Sequence, residues 1–335
     1  MRVRCYIFHK LTSISISLVL VLALSSCASE SAPTSLKANI ILLDISGSST
    51  DSKGTYNDQD HSPSSLSERR SQLEEAFRNA VVSETAVYFG FVRTGYGVTD
   101  ISTLVSPSLI LDINNVLSTD ILNEKLMKET SDGISQAWQD AIKQEREKPD
   151  SCSTEPIVKI ITNASNAAVS DENTRRIATK LCSSARNGIY QFDQLKGDPG
   201  DIGSDIQAAV DRSLQKLASD ERRLFNSDGK QVVLIPTLIL VSDLIQVTNG
   251  VSKTNEVSAT TDPKQACDLA KQESKNFISP LTGSTSLISD GFAGTIKEVN
   301  QSDRDKLRKY WECWFATRNI DDINVGAKGI DLGAL

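Results

Sequence analysis

The chain has 335 residues, of which 39% are hydrophobic, 5% aromatic and 24% charged, and its formal net charge is −7. No apolar run reaches the roughly 20 residues a spanning helix needs, and ordinary Gly and Pro contents exclude collagen, coiled coil and wholesale disorder. So acidic a chain is poorly suited to coating phosphate backbones, and no nucleic-acid partner is expected. In chain order, the first element is an export signal: Arg2, Arg4 and Lys10 precede an apolar, serine-interrupted stretch from Leu11 to Leu24, too short for a transmembrane helix. The first 26 residues hold those three basic residues and no acidic one, so their removal takes the net charge from −7 to −10.

The signal ends in Leu24-Ser25-Ser26-Cys27, which resembles the bacterial lipoprotein box, where cleavage precedes a lipidated cysteine. The resemblance implies residues 1–26 as signal peptide, Cys27 as lipidation site, and a lipid anchor in the cell envelope, stable because several acyl chains share the load. Residue 28 is Ala, so the Asp that retains many such proteins in the inner membrane is absent, which favours the outer membrane in a Gram-negative envelope. Residues 27–36, rich in Ser and Ala with one Pro, read as a tether.

Beyond the tether, apolar runs rich in β-branched residues predict strands at Ala38–Leu43, Ala86–Val92, Ile157–Ile161, Ile189–Phe192 and Val232–Val241, with a weak one at Gly294–Val299. Between them, helical spacing with charged outer faces predicts helices over Ser65–Val82, Thr119–Glu147, Asp171–Arg186, Ser204–Leu224, Pro263–Phe277 and Asp303–Thr317. This alternation predicts an α/β fold: a doubly wound, mostly parallel sheet with helices on both faces, in one domain over 37–320. The Gly-containing tail, 321–335, either adds an edge strand or stays loose. In an oxidising compartment Cys152, Cys182, Cys267 and Cys313 suggest two disulfides, with three connectivities. Cys152 stands just before the strand expected at Ile157, and Cys182 near the end of the helix that follows. Strand starts and returning-helix ends share one edge of a parallel sheet, so Cys152–Cys182 is predicted, and Cys267–Cys313 by elimination. Trp138, Trp311 and Trp314 read as helix-face core residues.

In open α/β sheets ligands sit beyond the carboxyl ends of the strands. There the first strand ends in Leu43-Asp44-Ile45-Ser46-Gly47-Ser48, one carboxylate and two hydroxyls within a turn, a hard oxygen set suited to Mg²⁺, or to Mn²⁺ or Ca²⁺ in its place. A second copy of the pattern, Asp60-His61-Ser62-Pro63-Ser64, has no strand before it. With its strand, the Asp44 motif resembles the metal-ion-dependent adhesion site of the von Willebrand factor A-type domain. Gly203-Ser204-Asp205-Ile206 is similar to that family's Gly-Thr-Asp-Ile loop, and Leu238-Ile239-Leu240-Val241-Ser242-Asp243 to its strand ending in the last metal-site Asp. The resemblance implies that Ser46, Ser48 and Ser204 bind the cation through hydroxyls, and that Asp44 and Asp243 hold it through carboxylates or bridging waters. An open coordination position would take an acidic residue of a partner protein. A rival register uses Thr130 or Ser131 before Gly133 and puts Asn163, in Ile160-Ile161-Thr162-Asn163, where Asp is expected. Plain A-type domains are shorter; the excess between Gly95 and Tyr190 reads as an extra strand-helix unit.

Enzyme readings fit less well. His61 is the one histidine beyond the signal and no Gly-x-Ser-x-Gly elbow occurs, so a Ser-His-Asp hydrolase lacks its base. Ser46 stands where aspartyl phosphotransfer of the haloacid dehalogenase type needs a second Asp. The glycine-rich turn Gly197–Gly203 has no Lys, and Asp198 and Asp201 in it would repel phosphate. The expected function is therefore cation-mediated protein binding from the envelope. The alternatives are a metal-dependent envelope hydrolase, or a structural or assembly factor with a vestigial metal site.

Overall fold

β1 (Ser35–Asp44) is the middle of the molecule, with parallel neighbours on both sides. It pairs with β2 (Thr85–Val92) from Lys37↔Thr85 to Asp44↔Val92, and with β4 (Val233–Val241) from Ser35↔Val233 to Leu43↔Val241. The computed structural model describes residues 34–44, 66–92, 101–121, 123–194, 205–226, 228–242, 244, 246–248, 251–275, 285–290 and 300–327. The chain from Thr34 onward forms one unit. β3 (Ser102–Val105), β7 (Thr285–Asp290) and β8 (Ile320–Ala327) complete a six-stranded sheet in the order β3-β2-β1-β4-β7-β8. Every neighbouring pair is parallel except β2–β3. A separate small hairpin pairs β5 (Val247–Thr248) with β6 (Val251–Ser252).

All eight residues of β2 are buried. Successive side chains of a strand point to opposite faces, so both faces of the sheet are covered there. β1 alternates exposed and buried over its first half and is buried throughout its second, from Ile40 to Asp44, so the end that carries Asp44 lies inside the protein. Pro236 falls within β4, where a missing N–H usually breaks a central ladder. Here the described ladder to β7 begins one residue later, at Thr237↔Ser286. The backbone N–H of Leu234 is taken by Glu221 Oε2 at 3.2 Å.

Helix α1 (Leu66–Asn79) links β1 to β2. After β3 the described residues form four α-helices, α2 (Pro107–Asn115, continued by a π-helical turn over Val116–Asp120), α3 (Glu124–Glu147), α4 (Thr154–Ala164) and α5 (Asp171–Gln194), before α6 (Ile206–Glu221) leads into β4. α7 (Lys253–Ser258), α8 (Pro263–Glu273) and α9 (Gln301–Ala316) flank β7. Aromatic residues fill the seam between α1, α3, α5 and β2: the Phe77 ring meets Trp138 at 4.7 Å and Phe192 at 5.4 Å, both edge-on. Trp138 lies on α3 and Trp311 and Trp314 on α9, all fully buried, as the sequence predicts. β8 places an edge strand in the C-terminal tail, one of the two options read there.

Two expected strands are helical. Ile157–Ile161 lies in α4, where Ile157, Val158, Ile161 and Ser165 form one buried stripe at helical spacing. Thr154, Glu155 and Pro156 open that helix as a first turn often opens; a short β-branched run cannot by itself separate strand from buried helix. Ile189–Phe192 continues α5, whose buried stripe runs through Leu181, Ala185, Gly188 and Phe192. Asn187-Gly188 looks like a helix stop, but the glycine answers a packing need. A Cβ at Gly188 would lie 2.3 Å from Cζ of Phe77. The excess between Gly95 and Tyr190 is thus not a parallel strand-helix unit; among the described residues it holds one antiparallel strand and a run of helices. β3, α2 and β7 have no counterpart in the sequence reading, and the segment expected as a strand at Gly294–Val299 lies outside the described residues.

Both expected disulfides are present: Cys152–Cys182, with Cα atoms 5.5 Å apart, and Cys267–Cys313, at 5.3 Å. The first pairing has a different cause from the one inferred. Cys152 precedes a helix rather than a strand, and its partner sits midway along α5. The second clamps α8 to α9.

Candidate functional site at the carboxyl edge of the sheet

The chain leaves β1 toward β2 on one side and returns through β4 on the other, so strand order reverses between β1 and β4. That reversal opens the crevice in which α/β sheets bind ligands. Asp44, the last residue of β1, is 0% exposed there. Ser242, the residue after β4, is also buried and donates its hydroxyl to Asp44 Oδ2 at 2.7 Å. The same hydroxyl oxygen accepts the N–H of Leu244 at 3.0 Å. Leu244 is buried in the left-handed region, at φ 59°, a conformation that costs a bulky residue roughly 1–3 kcal/mol and persists only where its surroundings impose it. Its carbonyl is held by the Trp311 indole N–H at 2.9 Å.

The loop is tied a second time, to the start of α6. Gln246 Oε1 accepts the backbone N–H of Gln207 at 3.1 Å, and Gln246 Nε2 donates to Gln207 Oε1 at 3.1 Å. Gln207 Nε2 in turn donates to the Tyr310 hydroxyl at 2.7 Å. Tyr310 donates to Glu273, which also accepts from Lys253 at 2.8 Å. Burial alone pushes the Glu273 carboxyl up, but hydrogen bonds from Lys253, Tyr310 and Gln207, with the charge of Lys253, outweigh it and hold Glu273 below its ordinary value. Burial, reinforced by the Glu273 carboxylate, pushes the Tyr310 phenol far above its ordinary range, so it stays a neutral donor. For Lys253, burial pulls downward, and the hydrogen bonds it donates to Glu256 and Glu273, with the charges of both carboxylates, overcome it and raise its pKa, so the amine stays charged.

Of the expected metal-site residues, Asp44 lies where the sequence reading puts it, at the end of a buried strand. Ser46, Ser48, Ser204 and Asp243 lie outside the described residues, as do Cys27 and Asp60. Their described neighbours nevertheless bring the three segments together: Ser242 touches Asp44, and Gln246 touches Gln207. No family model matches the chain, and no curated protein matches it significantly. The rival register fails on geometry. Thr130 is buried within α3, donating to the Leu126 carbonyl at 2.8 Å, and Asn163 is in the last turn of α4, not at a strand end.

Among the described residues no group of three or more His, Cys, Asp or Glu could hold a metal. The expected donor set contains two carboxylates and three hydroxyls, so it would not form such a group even when complete. Its chemistry fits a hard cation, since every donor is oxygen and no thiol or imidazole is included. The sequence reading gave no role to Ser242, Gln207 or Gln246; amide and hydroxyl residues that act as ties between distant segments carry no spacing signature. A second concavity, of about 670 Å³, lies beside Glu84 at the other end of β2, between the end of α2 and the start of α3. Leu117 and Met127 line it with Glu84, Glu124, Lys125 and Lys128, a mixed set that converges on no single chemistry.

Proposed function

We propose that this protein is a lipid-anchored component of a bacterial cell envelope. In this reading its sheet is a doubly wound von Willebrand factor A-type domain that binds a protein partner through a divalent cation. The observation that carries it is the meeting of three sequence segments at the reversal of strand order: Asp44 bonded to Ser242, and Gln246 to Gln207. Burial on both faces of β2 supports helices on each side of the sheet. The cation would be held by Asp44, Ser46, Ser48, Ser204 and Asp243, and would supply an electrophilic position for an acidic side chain of the partner. The chain's own residues do the preparing. Ser242 orients the Asp44 carboxylate, and Trp311 and Gln207 hold Leu244 and Gln246 after β4.

The test is thermal melting in Mg²⁺, in Mn²⁺ and in chelator. The segments converge only in the folded chain, so a cation at 100 times its dissociation constant stabilises the protein by roughly 2.7 kcal/mol, a rise of several degrees in Tm. The cation-dependent shift disappears in Asp44→Ala, Ser46→Ala and Asp243→Ala, weakens in Ser204→Ala, and persists in Asp60→Ala and Thr130→Ala. Melting that is the same under all three conditions would sink the reading.

A further inference from the structure

The chain enters the fold beside an exposed turn. Thr34, the residue before β1, accepts the Val233 N–H through its carbonyl at 3.0 Å and the Asn226 side-chain amide through its hydroxyl at 3.2 Å. Asn226 also builds the turn between α6 and β4: its side-chain oxygen accepts the N–H groups of Asp228 and Lys230, at 3.0 and 2.9 Å. Next to it stands Phe225, 54% exposed, although phenylalanine is among the residues most often buried. Phe225 is bridged to Gln231, and directly opposed partners share a face. By the alternation of a strand, Val233 and Ile235 follow Gln231 on that face, and Ile235 is 52% exposed. Lys37, the register partner of Ile235 on β1, is exposed beside it.

Cations frame this apolar strip. Between α6 and β4 the exposed Arg222, Arg223 and Lys230 stand against Asp228, and Lys37 adds a fourth positive charge, in a chain whose net charge is −7. Exposed apolar side chains set among Lys and Arg match the interface of a bilayer that carries anionic lipids. The tether points the same way. From Cys27 to Thr34 the chain makes seven steps, which span at most about 25 Å when fully extended, and Thr34 is bonded to the turn itself. So short a tether raises the effective concentration of a second contact to the millimolar range, and a weak attraction then suffices.

We propose that the Phe225 turn, with Ile235 and the basic residues around it, lies on the anionic surface of the bilayer to which Cys27 is anchored. This rests on the lipid-anchor part of the proposed function and not on the cation site.

The experiment expresses the full-length chain and reconstitutes the processed protein in vesicles of phosphatidylglycerol and phosphatidylcholine with brominated acyl chains, which quench tryptophans in contact with lipid. Phe225→Trp puts a reporter in the turn, and Tyr190→Trp puts one at another exposed aromatic position, on α5. The native Trp138, Trp311 and Trp314 are buried and common to both chains. The Phe225→Trp chain loses emission several times more strongly than the Tyr190→Trp chain. Leaving out phosphatidylglycerol, or adding Arg223→Gln with Lys37→Gln, removes most of that difference. Equal quenching in the two chains overturns the proposal, as does a difference that persists in full without phosphatidylglycerol. Shielding of the Phe225→Trp reporter in detergent that grows with protein concentration assigns the face to a second copy of the chain and overturns it too. If Phe225→Trp does not fold, hydrogen exchange of the wild-type chain decides: the amides of Arg222–Gln231 exchange several times more slowly in anionic vesicles than in detergent, and equal rates overturn the proposal. Mass spectrometry of the same protein reads acylation at Cys27 separately. An unacylated chain overturns the anchor and the proposal with it, whereas an acylated chain without quenching at position 225 overturns the proposal alone.

Discussion

Between α3 and α5 the chain is tied by bonds that close over short stretches. Glu145 accepts from residues five and seven positions away, and Cys152 is linked to Cys182 across 30 residues. At the carboxyl edge of the sheet the ties are of another kind. Ser242 reaches Asp44 across 198 residues, and Trp311 holds Leu244 across 67. Local contacts form cheaply in entropy, whereas non-local ones require that most of the chain is already in place. We expect the turn between α3 and α5 to survive damage at the sheet edge, and the edge to respond to damage elsewhere in the fold.

The largest expected effect breaks the aromatic seam that packs α3 and α5 onto α1 and β2. Trp138 packs edge-on against Phe77 and donates its indole N–H to the Arg78 carbonyl at 3.0 Å. We expect Trp138→Ala to cost about 3–5 kcal/mol in urea unfolding and to weaken both regions at once. Replacing Cys152 and Cys182 by Ser opens a loop of 30 residues, which chain entropy values at about 3–4 kcal/mol. The comparison requires that this loss leave any cation-dependent Tm shift unchanged, and a vanished shift would show that the regions are not separable. Ser242→Ala removes a donor from a buried carboxylate and should cost about 1–3 kcal/mol in the presence of chelator, with a reduced cation response on top. The smallest effect concerns acid. Because the Glu273 pKa is lowered in the fold, its contribution to stability is complete above the ordinary carboxylate pKa and is lost as pH falls through the lowered folded value. Glu273→Gln should therefore flatten the decline of Tm below about pH 4, and an unaltered acid limb would count against the Lys253–Tyr310 cluster as a stabilising tie.

How far the sequence could be read divides along the same line. β1, β2 and β4 are legible because a strand buried on both faces must be a continuous apolar run, and Asp44 is legible because it ends one. α4 and the end of α5 are misread, since Ile157–Ile161 satisfies strand and buried-helix patterns equally, and Gly188 takes its place from a ring that is close in space but 111 residues earlier in sequence, Phe77 on α1. β3 and β7 each carry only two large apolar residues among Ser, Thr and Asp, so no apolar run marks them. The pairing of Cys152 with Cys182 was deduced from a strand that does not exist, yet the order of elements still brings them together, because a helix hairpin also returns the chain beside itself. Gln207 and Gln246 were out of reach, as their partnership is a property of the folded loops alone.

Glu145 bears on how the turn after α3 is held. This 2% exposed carboxylate accepts the N–H of Asp150 and of Cys152, each at 2.8 Å, while Gln144 accepts from Ser151 at 2.6 Å and Ser153 at 3.0 Å. The end of α3 thus grips the following turn through the Glu145 and Gln144 side chains and the Gln144 carbonyl, none of which needs oxidation to act. In the folded chain this grip fixes the turn that carries Cys152 beside Cys182 on α5. A carboxylate and a covalent bond therefore hold the same turn, so the position of Cys152 does not depend on the disulfide alone.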